Sequence, residues 1–531
     1  MMILGKIFLI LLLLSSVFSI ASSRRGHSSS NIDWWCNLTP HPKPCKYYIG
    51  QMNHHFTIKH RTELRGMLVQ LALKQALIMQ KEAHDFEQNM ETKKHRTVHG
   101  DCLKLYENTI FHLNRTLEGL HDLKRSCSPV DAQTWLSTAL TNIQTCRTGA
   151  EELSVQEFMV SNVRTNVTEM IRNSLAINMD FLKENSHNKH TETTEEAFPS
   201  WFSTHERKLL QSSTIKANLV VAKDGSGNFR SVQEALNAAA KRRNKIRFVI
   251  HVKKGVYREN IEVAVNNDNI MLIGDGMRNT IITSSRSVQG GFTTYSSATA
   301  GIDGLHFIAR DITFQNAAGA QKGQAVALRS SSDLSVFYRC MITGYQDTLM
   351  VQAQRQFYRQ CYIYGTIDFI FGNAAVVFQN CNIYARKPIE GQAIMITAQG
   401  RGDPFQNTGI SIHNCQIMAA PDLKPVVDKY NTFLGRPWQQ YARVVVMKTF
   451  IDKLVSPLGW SQWDGTNFAL DTLYYGEYEN YGPGSNTANR VKWSGFHVIT
   501  SPVVASQFTV NGLLFGTTWL PTTSVPFTSG L

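Results

Sequence analysis

Two aspartates set about one structural repeat apart carry the clearest chemical potential in this chain: Asp347 in Gln346-Asp347-Thr348-Leu349 and Asp368 in Asp368-Phe369-Ile370-Phe371-Gly372. Carboxylates held side by side cannot both ionise easily, so one tends to keep a proton while its neighbour stays charged, the division of labour that acid–base and nucleophilic chemistry needs. Gln324 precedes Gln346 by 22 residues, and Asp368 follows Asp347 by 21. A repeat of that length would line up Gln324, the Gln346-Asp347 pair and Asp368 on one face as a candidate active site. Taken singly, an Asp or Gln at a repeat turn is usually a hydrogen-bonding turn residue; the combination gives these four their weight.

The repeat that must position them is visible. Phe337-Tyr338-Arg339-Cys340-Met341-Ile342 aligns with Phe357-Tyr358-Arg359-Gln360-Cys361-Tyr362-Ile363, with Phe378-Gln379-Asn380-Cys381-Asn382-Ile383 and with Ile412-His413-Asn414-Cys415-Gln416-Ile417. Spacings of roughly 20 to 35 residues belong to a solenoid whose coils stack about 4.8 Å apart. Short β-rich runs at Ile246 to Val252, Asn269 to Ile273, Leu305 to Phe314 and Ala374 to Phe378 fit such coils. The expected fold from about residue 214 onward is a right-handed parallel β-helix, its open end capped by the helix-like Ser231 to Lys241. A β-sandwich would not explain the recurring aromatic-x-x-Cys-x-Ile units.

At 531 residues the chain is too long for one ordinary core, and two folded domains are expected. Residues 31–185 read as an all-α four-helix bundle, with three-and-four apolar spacing over Leu64 to Phe86, Cys102 to Leu123, Asp131 to Glu152 and Asn166 to Leu182. Asp131 is placed as a helix N-cap after Ser128-Pro129-Val130. Residues 186–213 read as a polar linker ending in Arg207-Lys208-Leu209-Leu210, a dibasic site open to proteolysis.

Lys6 before the apolar run Ile7 to Leu14, then a small-x-small site at Ser19-Ile20-Ala21, makes residues 1–21 a signal peptide. The apolar stretch is short for the roughly 20 residues that span a bilayer, and no later segment could span one. The expectation is a secreted, extracellular protein without stable membrane insertion after signal removal. Asn37, Asn114 and Asn166 head glycosylation acceptors. Nine cysteines leave at least one thiol unpaired, and none has zinc-ligand spacing with a histidine pair. A net charge of +13, roughly +10 of it after residue 210, suggests an acidic partner. No aromatic and basic nucleic-acid motif accompanies it, so an extracellular polyanion fits better.

Gly255-Val256-Tyr257-Arg258-Glu259, Gln324-Ala325-Val326-Ala327-Leu328, Gln346-Asp347-Thr348-Leu349, Asp368-Phe369-Ile370-Phe371-Gly372 and Leu434-Gly435-Arg436-Pro437-Trp438 occur in the order and spacing that resemble plant pectin methylesterases. Cys102-Leu103-Lys104-Leu105-Tyr106 and Asp131-Ala132-Gln133-Thr134-Trp135 resemble the inhibitor-like pro-region of the two-domain members. The resemblance implies a cell-wall enzyme that hydrolyses methyl esters of homogalacturonan to pectate and methanol without a metal or other cofactor. It implies Asp368 as nucleophile, Asp347 as acid–base partner, Gln324 and Gln346 as oxyanion donors, and Arg436 as the cation beside Asp368. Substrate contacts would come from Thr294, Tyr295, Phe371, Trp438, Trp463, Gln324 and Arg436. Its further implications are disulfides Cys36–Cys45 and Cys102–Cys146, a subtilisin-like processing protease, a possible separate inhibitor protein and a monomeric state. Cys340 with Cys361 and Cys381 with Cys415 are plausible further disulfides, with reduced core cysteines as the alternative. Where the family often has Tyr-x-His after the Gln-Asp-Thr-Leu motif, this chain has Met350-Val351-Gln352. A pectin lyase or galacturonase would need a calcium-binding acidic cluster or further carboxylates, and neither is evident; a non-catalytic wall-binding protein is the third reading.

Overall fold

The computed structural model describes residues 32–51, 58–85, 92–121, 126–155, 162–188, 216–244 and 246–531. The signal-peptide and processing-site expectations therefore lie outside the described residues.

Two short helices, α1 (Ile32–Cys36) and α2 (Pro42–Gly50), precede four long ones: α3 (Arg61–Asp85), α4 (Lys93–His121), α5 (Pro129–Glu152) and α6 (Asn162–Asn188). The long helices form the expected bundle around Leu64, Leu68, Leu113, Leu136, Leu140 and Leu175, all out of contact with water. Disulfides Cys36–Cys45 and Cys102–Cys146 pin α1 to α2 and α4 to α5, and Cys127 is free. The N-cap of α5 is Ser128 rather than Asp131. Ser128 Oγ accepts the Asp131 N–H at 3.1 Å and the Asp131 carboxylate accepts the Ser128 N–H at 3.2 Å. Pro129 at the first helical position, needing no N–H partner, moves the start forward and makes Asp131 the third residue of a capping box. Asn37 and Asn114 are exposed and Asn166 is half-buried. No described helix is long and apolar enough to cross a membrane.

From Leu219 onward the chain winds into a right-handed parallel β-helix with three parallel sheets. Helix α7 (Val232–Ala240), N-capped by Ser231, covers one end. The aromatic-x-x-Cys unit marks one corner of each coil. Phe337 and Tyr358 stack at 4.6 Å, and Tyr358 and Phe378 at 4.7 Å. Then Arg339, Gln360, Asn380 and Asn414 each turn the chain through a left-handed conformation, φ 51° to 55°, and the Cys that follows points inward. Asp311, at φ 59°, makes the same turn one coil earlier. The single run expected over Leu305 to Phe314 is therefore two strands in different sheets, Ile308–Arg310 and Thr313–Asn316.

The four β-helix cysteines are all thiols, which corrects the expected pairs Cys340–Cys361 and Cys381–Cys415. In-register neighbours in parallel strands carry nearly parallel Cα–Cβ bonds, so the side chains rise as a column instead of turning toward one another. Each sulfur is also engaged with backbone: Cys381 Sγ accepts the Cys361 N–H at 3.4 Å, Cys415 Sγ accepts the Cys381 N–H at 3.3 Å, and Cys361 Sγ donates to Phe337 O at 3.2 Å. Thr449 continues the column, its Oγ1 accepting the Cys415 N–H at 3.2 Å.

Candidate active site

The site sits on the outer face of the seven-stranded sheet that includes Leu328–Ser330, Leu349–Val351, Ile370–Gly372, Ile394–Gln399 and Thr432–Pro437. Leu349 pairs with Ile370, so Asp347 and Asp368, each two residues earlier, occupy equivalent places on adjacent coils. Both have left-handed backbones, φ 59° and 49°, and such conformations in non-glycine residues are strained features that cluster at functional sites. Arg329, Met350, Phe371, Ala398 and Arg436 follow one another across the same sheet. Arg436 reaches back from its strand to clamp Asp368: its Nη2 donates to Oδ2 at 2.7 Å and its Nε to Oδ1 at 2.9 Å. The guanidinium also lies 4.3 Å from the Trp463 ring and 3.5 Å from exposed Asp464.

A cavity of about 360 Å³ gathers the sequence-predicted residues Thr294, Tyr295, Gln324, Gln346, Asp347, Asp368, Phe371, Arg436, Trp438 and Trp463 around one space. Trp438 packs edge-on against Phe371 at 5.9 Å and covers Gly400, where a Cβ would lie 2.7 Å from the indole. Tyr295 is less available than a sugar-stacking role requires: it is 5% exposed, its ring held 4.0 Å from the Arg329 guanidinium. Burial pushes both aspartates above the usual carboxylate range, Asp347 well above it. Arg436 opposes the shift at both, but only at Asp368 through hydrogen bonds as well as charge, whereas Asp347 is pushed up further by the charges of Asp368 and Glu152. Asp347 is accordingly the carboxyl that keeps a proton, and Asp368 the one poised to ionise.

Sequence reasoning missed the fourth wall of this cavity, which α5 supplies through Thr145, Thr148, Gly149 and Glu152. Along α5 a polar stripe at three-and-four spacing faces the β-helix. Gln133 donates to Phe405 O at 2.5 Å, Ser137 to Asn407 at 3.3 Å, Asn373 to Thr141 at 2.8 Å and Gln352 to Thr145 at 2.7 Å. At its end Glu152 accepts the Thr294 N–H at 2.8 Å. The signal was legible as an unusually polar helix face, but a helix that is polar on one side normally faces water. Helix α4 adds Lys104 to Asp303 at 3.0 Å, Asp101 to Thr293, and His112 to Gln354 at 3.0 Å. Arg355, between Asp333 and Asp131 at 2.8 Å each, joins the β-helix to α5.

Comparison with known proteins agrees with this geometry. The family model described as Pectinesterase matches residues 218–517, and that described as Plant invertase/pectin methylesterase inhibitor matches residues 30–177. The chain is 56% identical over 95% of its length to the Arabidopsis thaliana protein named Probable pectinesterase/pectinesterase inhibitor 33, covering 87% of that protein. It is 52% identical over 97% of its length to Pectinesterase 2 of Citrus sinensis, covering 98% of that protein. Among solved structures, pectin methylesterase from carrot is 56% identical with a TM-score of 0.59, covering 60% of this chain and 100% of its own. The Aspergillus niger pectin methylesterase is 30% identical with a TM-score of 0.50, covering 58% of this chain and 97% of its own.

Proposed function

The chain belongs to the pectinesterase family and is a pectin methylesterase, a carboxylic ester hydrolase, and on that premise we propose that Asp368 is its nucleophile, Asp347 its acid and base, and the helical bundle its inhibitor. The observation that carries the proposal is the pair of aspartates in equivalent places on adjacent coils, one clamped by Arg436 and the other left without a cation at ion-pair distance among the described residues.

The ionised Asp368 attacks the methyl-ester carbonyl of a galacturonate unit. The carbonyl π electrons move onto oxygen, and amide N–H groups of Gln324 and Gln346 stabilise that oxyanion, one well-placed donor contributing about 3 to 4 kcal/mol. Collapse breaks the bond to methoxide, which leaves as methanol with the proton held by Asp347, and an anhydride between Asp368 and the sugar acid remains. Asp347, now ionised, takes a proton from water as the water oxygen attacks the anhydride, giving the free galacturonate and restoring both aspartates. Phe371, Trp438 and Trp463 offer aromatic faces to the sugars.

The C-terminal end of the α5 stripe, Thr145 to Glu152, walls the same cleft. This supports a latent form in which the bundle excludes polymer until the chain is cut near Arg207 to Leu210, a cut suited to a subtilisin-like protease. The signal-like residues 1–21, the three sequons and two disulfides support action outside the cell, at the wall. The test compares methanol release and polymer length for cut and uncut chain on highly esterified pectin. Methanol without shortening from the cut chain alone is expected. Equal release from both forms refutes inhibition, and shortening of the polymer refutes the esterase chemistry.

A further inference from the structure

A second cavity, of about 630 Å³, opens between the bundle and the β-helix. Arg401 and Arg443 enter it from the β-helix, Val130, Met179 and Leu182 from the bundle, and Gln507 from the C-terminal segment. In sequence, Arg401 follows the Gly400 that Trp438 covers.

The two arginines are unlike the deeply buried arginines elsewhere in the β-helix. Arg329, Arg355 and Arg490 each hold a buried carboxylate, on Asp303, Asp333 and Glu477 respectively. Among the described residues no carboxylate lies at ion-pair distance from Arg401 or Arg443. Asp403, the nearest acid in sequence, is engaged by Arg172 at 3.3 Å. The acceptors present are neutral: Arg443 Nε donates to Thr408 O at 2.7 Å, and Arg401 Nε to Gln406 O at 2.8 Å with its Nη2 on Pro404 O. Gln399 Oε1 ties the segments together by accepting the Arg401 N–H at 3.0 Å and the Arg443 N–H at 2.8 Å. Burial draws the guanidinium pKa values down to about 10 at Arg401 and about 9 at Arg443, and at Arg443 the positive charge of Arg401 adds to it. The fold thus concentrates positive charge in a space large enough for a ligand, offset only at longer range by Asp403, with no carboxylate paired to either arginine among the described residues.

We infer that this cavity is an anion-binding exosite for a free uronate carboxylate, and that its ligand is a demethylated stretch of the polymer whose esters are cleaved in the Asp347–Asp368 cleft. A planar guanidinium offers paired donors that match a carboxylate, whereas a methyl ester presents no charge to it. The site therefore distinguishes product from substrate. The choice of uronate as ligand rests on the esterase reading; the existence of an anion site does not.

The test is calorimetric titration of the full chain with unesterified trigalacturonate and, separately, with inorganic phosphate. The variants are Arg401→Gln, Arg443→Gln and Gln507→Glu. The last places a carboxylate at an exposed rim position and leaves the arginine contacts in place, so it reports even where an arginine variant folds poorly. Trigalacturonate should bind the unaltered chain and lose roughly tenfold or more in affinity in Gln507→Glu and in each folded arginine variant, with phosphate binding at least about tenfold more weakly. Absence of binding, undiminished binding in Arg401→Gln or Gln507→Glu, or phosphate bound as tightly would each overturn the assignment. Methanol release from the cut chain is read in parallel. Release without trigalacturonate binding refutes the exosite alone, and Arg401-dependent binding without release refutes the esterase alone.

Discussion

Replacing Arg436 by Met removes the one cation clamped on Asp368 while keeping an unbranched side chain of similar reach. The hydrogen bonds this removes measure 2.7 and 2.9 Å, and Asp368 is 6% exposed. Unit charges about 4 Å apart interact by about 4 kcal/mol at the effective dielectric of a protein near its surface. At about 1.36 kcal/mol per pKa unit, the nucleophile should rise by about 3 units. Burial already holds Asp368 above its ordinary value, so in the variant it is mostly protonated near neutrality. The assay is kcat/KM for methanol release by the cut chain across pH, on a short esterified oligomer. The acid limb should move up by about 2 to 3 units, with a loss of roughly 10² to 10³ at pH below the parent's limb that shrinks as pH rises. A uniform fall with the acid limb unmoved would refute the reasoning and make Arg436 a substrate contact only.

Arg355→Met leaves Asp333 buried without its main partner, and the full chain should lose about 3 to 5 kcal/mol in a denaturant titration, whereas Asp131→Ala, which spares Asp333, should lose far less. Burial lowers the His413 pKa from 6.5 to about 4, so its stabilising share is present above about pH 6.5 and is lost as pH falls through about 4. His413→Gln should flatten the acid side of the stability–pH curve by about 3 kcal/mol, and an unchanged curve counts against this. Thiol titration of the native chain should find at most Cys127 reactive, with Cys340, Cys361, Cys381 and Cys415 appearing only on unfolding; loss of any of these four to oxidation in the purified protein contradicts the thiol column.

Motifs tied to a coil repeat were readable because each repeat imposes the same demand at the same place. The aromatic, the left-handed corner and the inward Cys recur because parallel stacking leaves only one way to turn. For the same reason the 21-residue offset of Asp347 and Asp368 was enough to place them side by side. What escaped notice depended on geometry across the chain. Cys340 and Cys361 share a face, as their alignment suggested, but sharing a face in register does not aim two sulfurs at each other. Asp311 divides the β-rich run read over Leu305 to Phe314, because an Arg310-Asp311 pair looks the same within a strand as at a corner. Gln352, read as the loss of a usual histidine, proved to hold Thr145 of α5. Nothing in the spacing of Ser137, Thr141 and Thr145 said that their face would meet a second domain instead of water.

Whether Asp368 is the nucleophile is tested most directly by methanol release from highly esterified pectin by the chain cut in its linker, set against Asp368→Asn, which keeps the shape of the side chain and removes its charge. Steady release is expected from the first and, with the fold retained, a loss of at least about 10⁴ in the second, comparable to losing the nucleophile in a catalytic triad. Release by a folded Asp368→Asn chain within about tenfold of the parent would contradict that role.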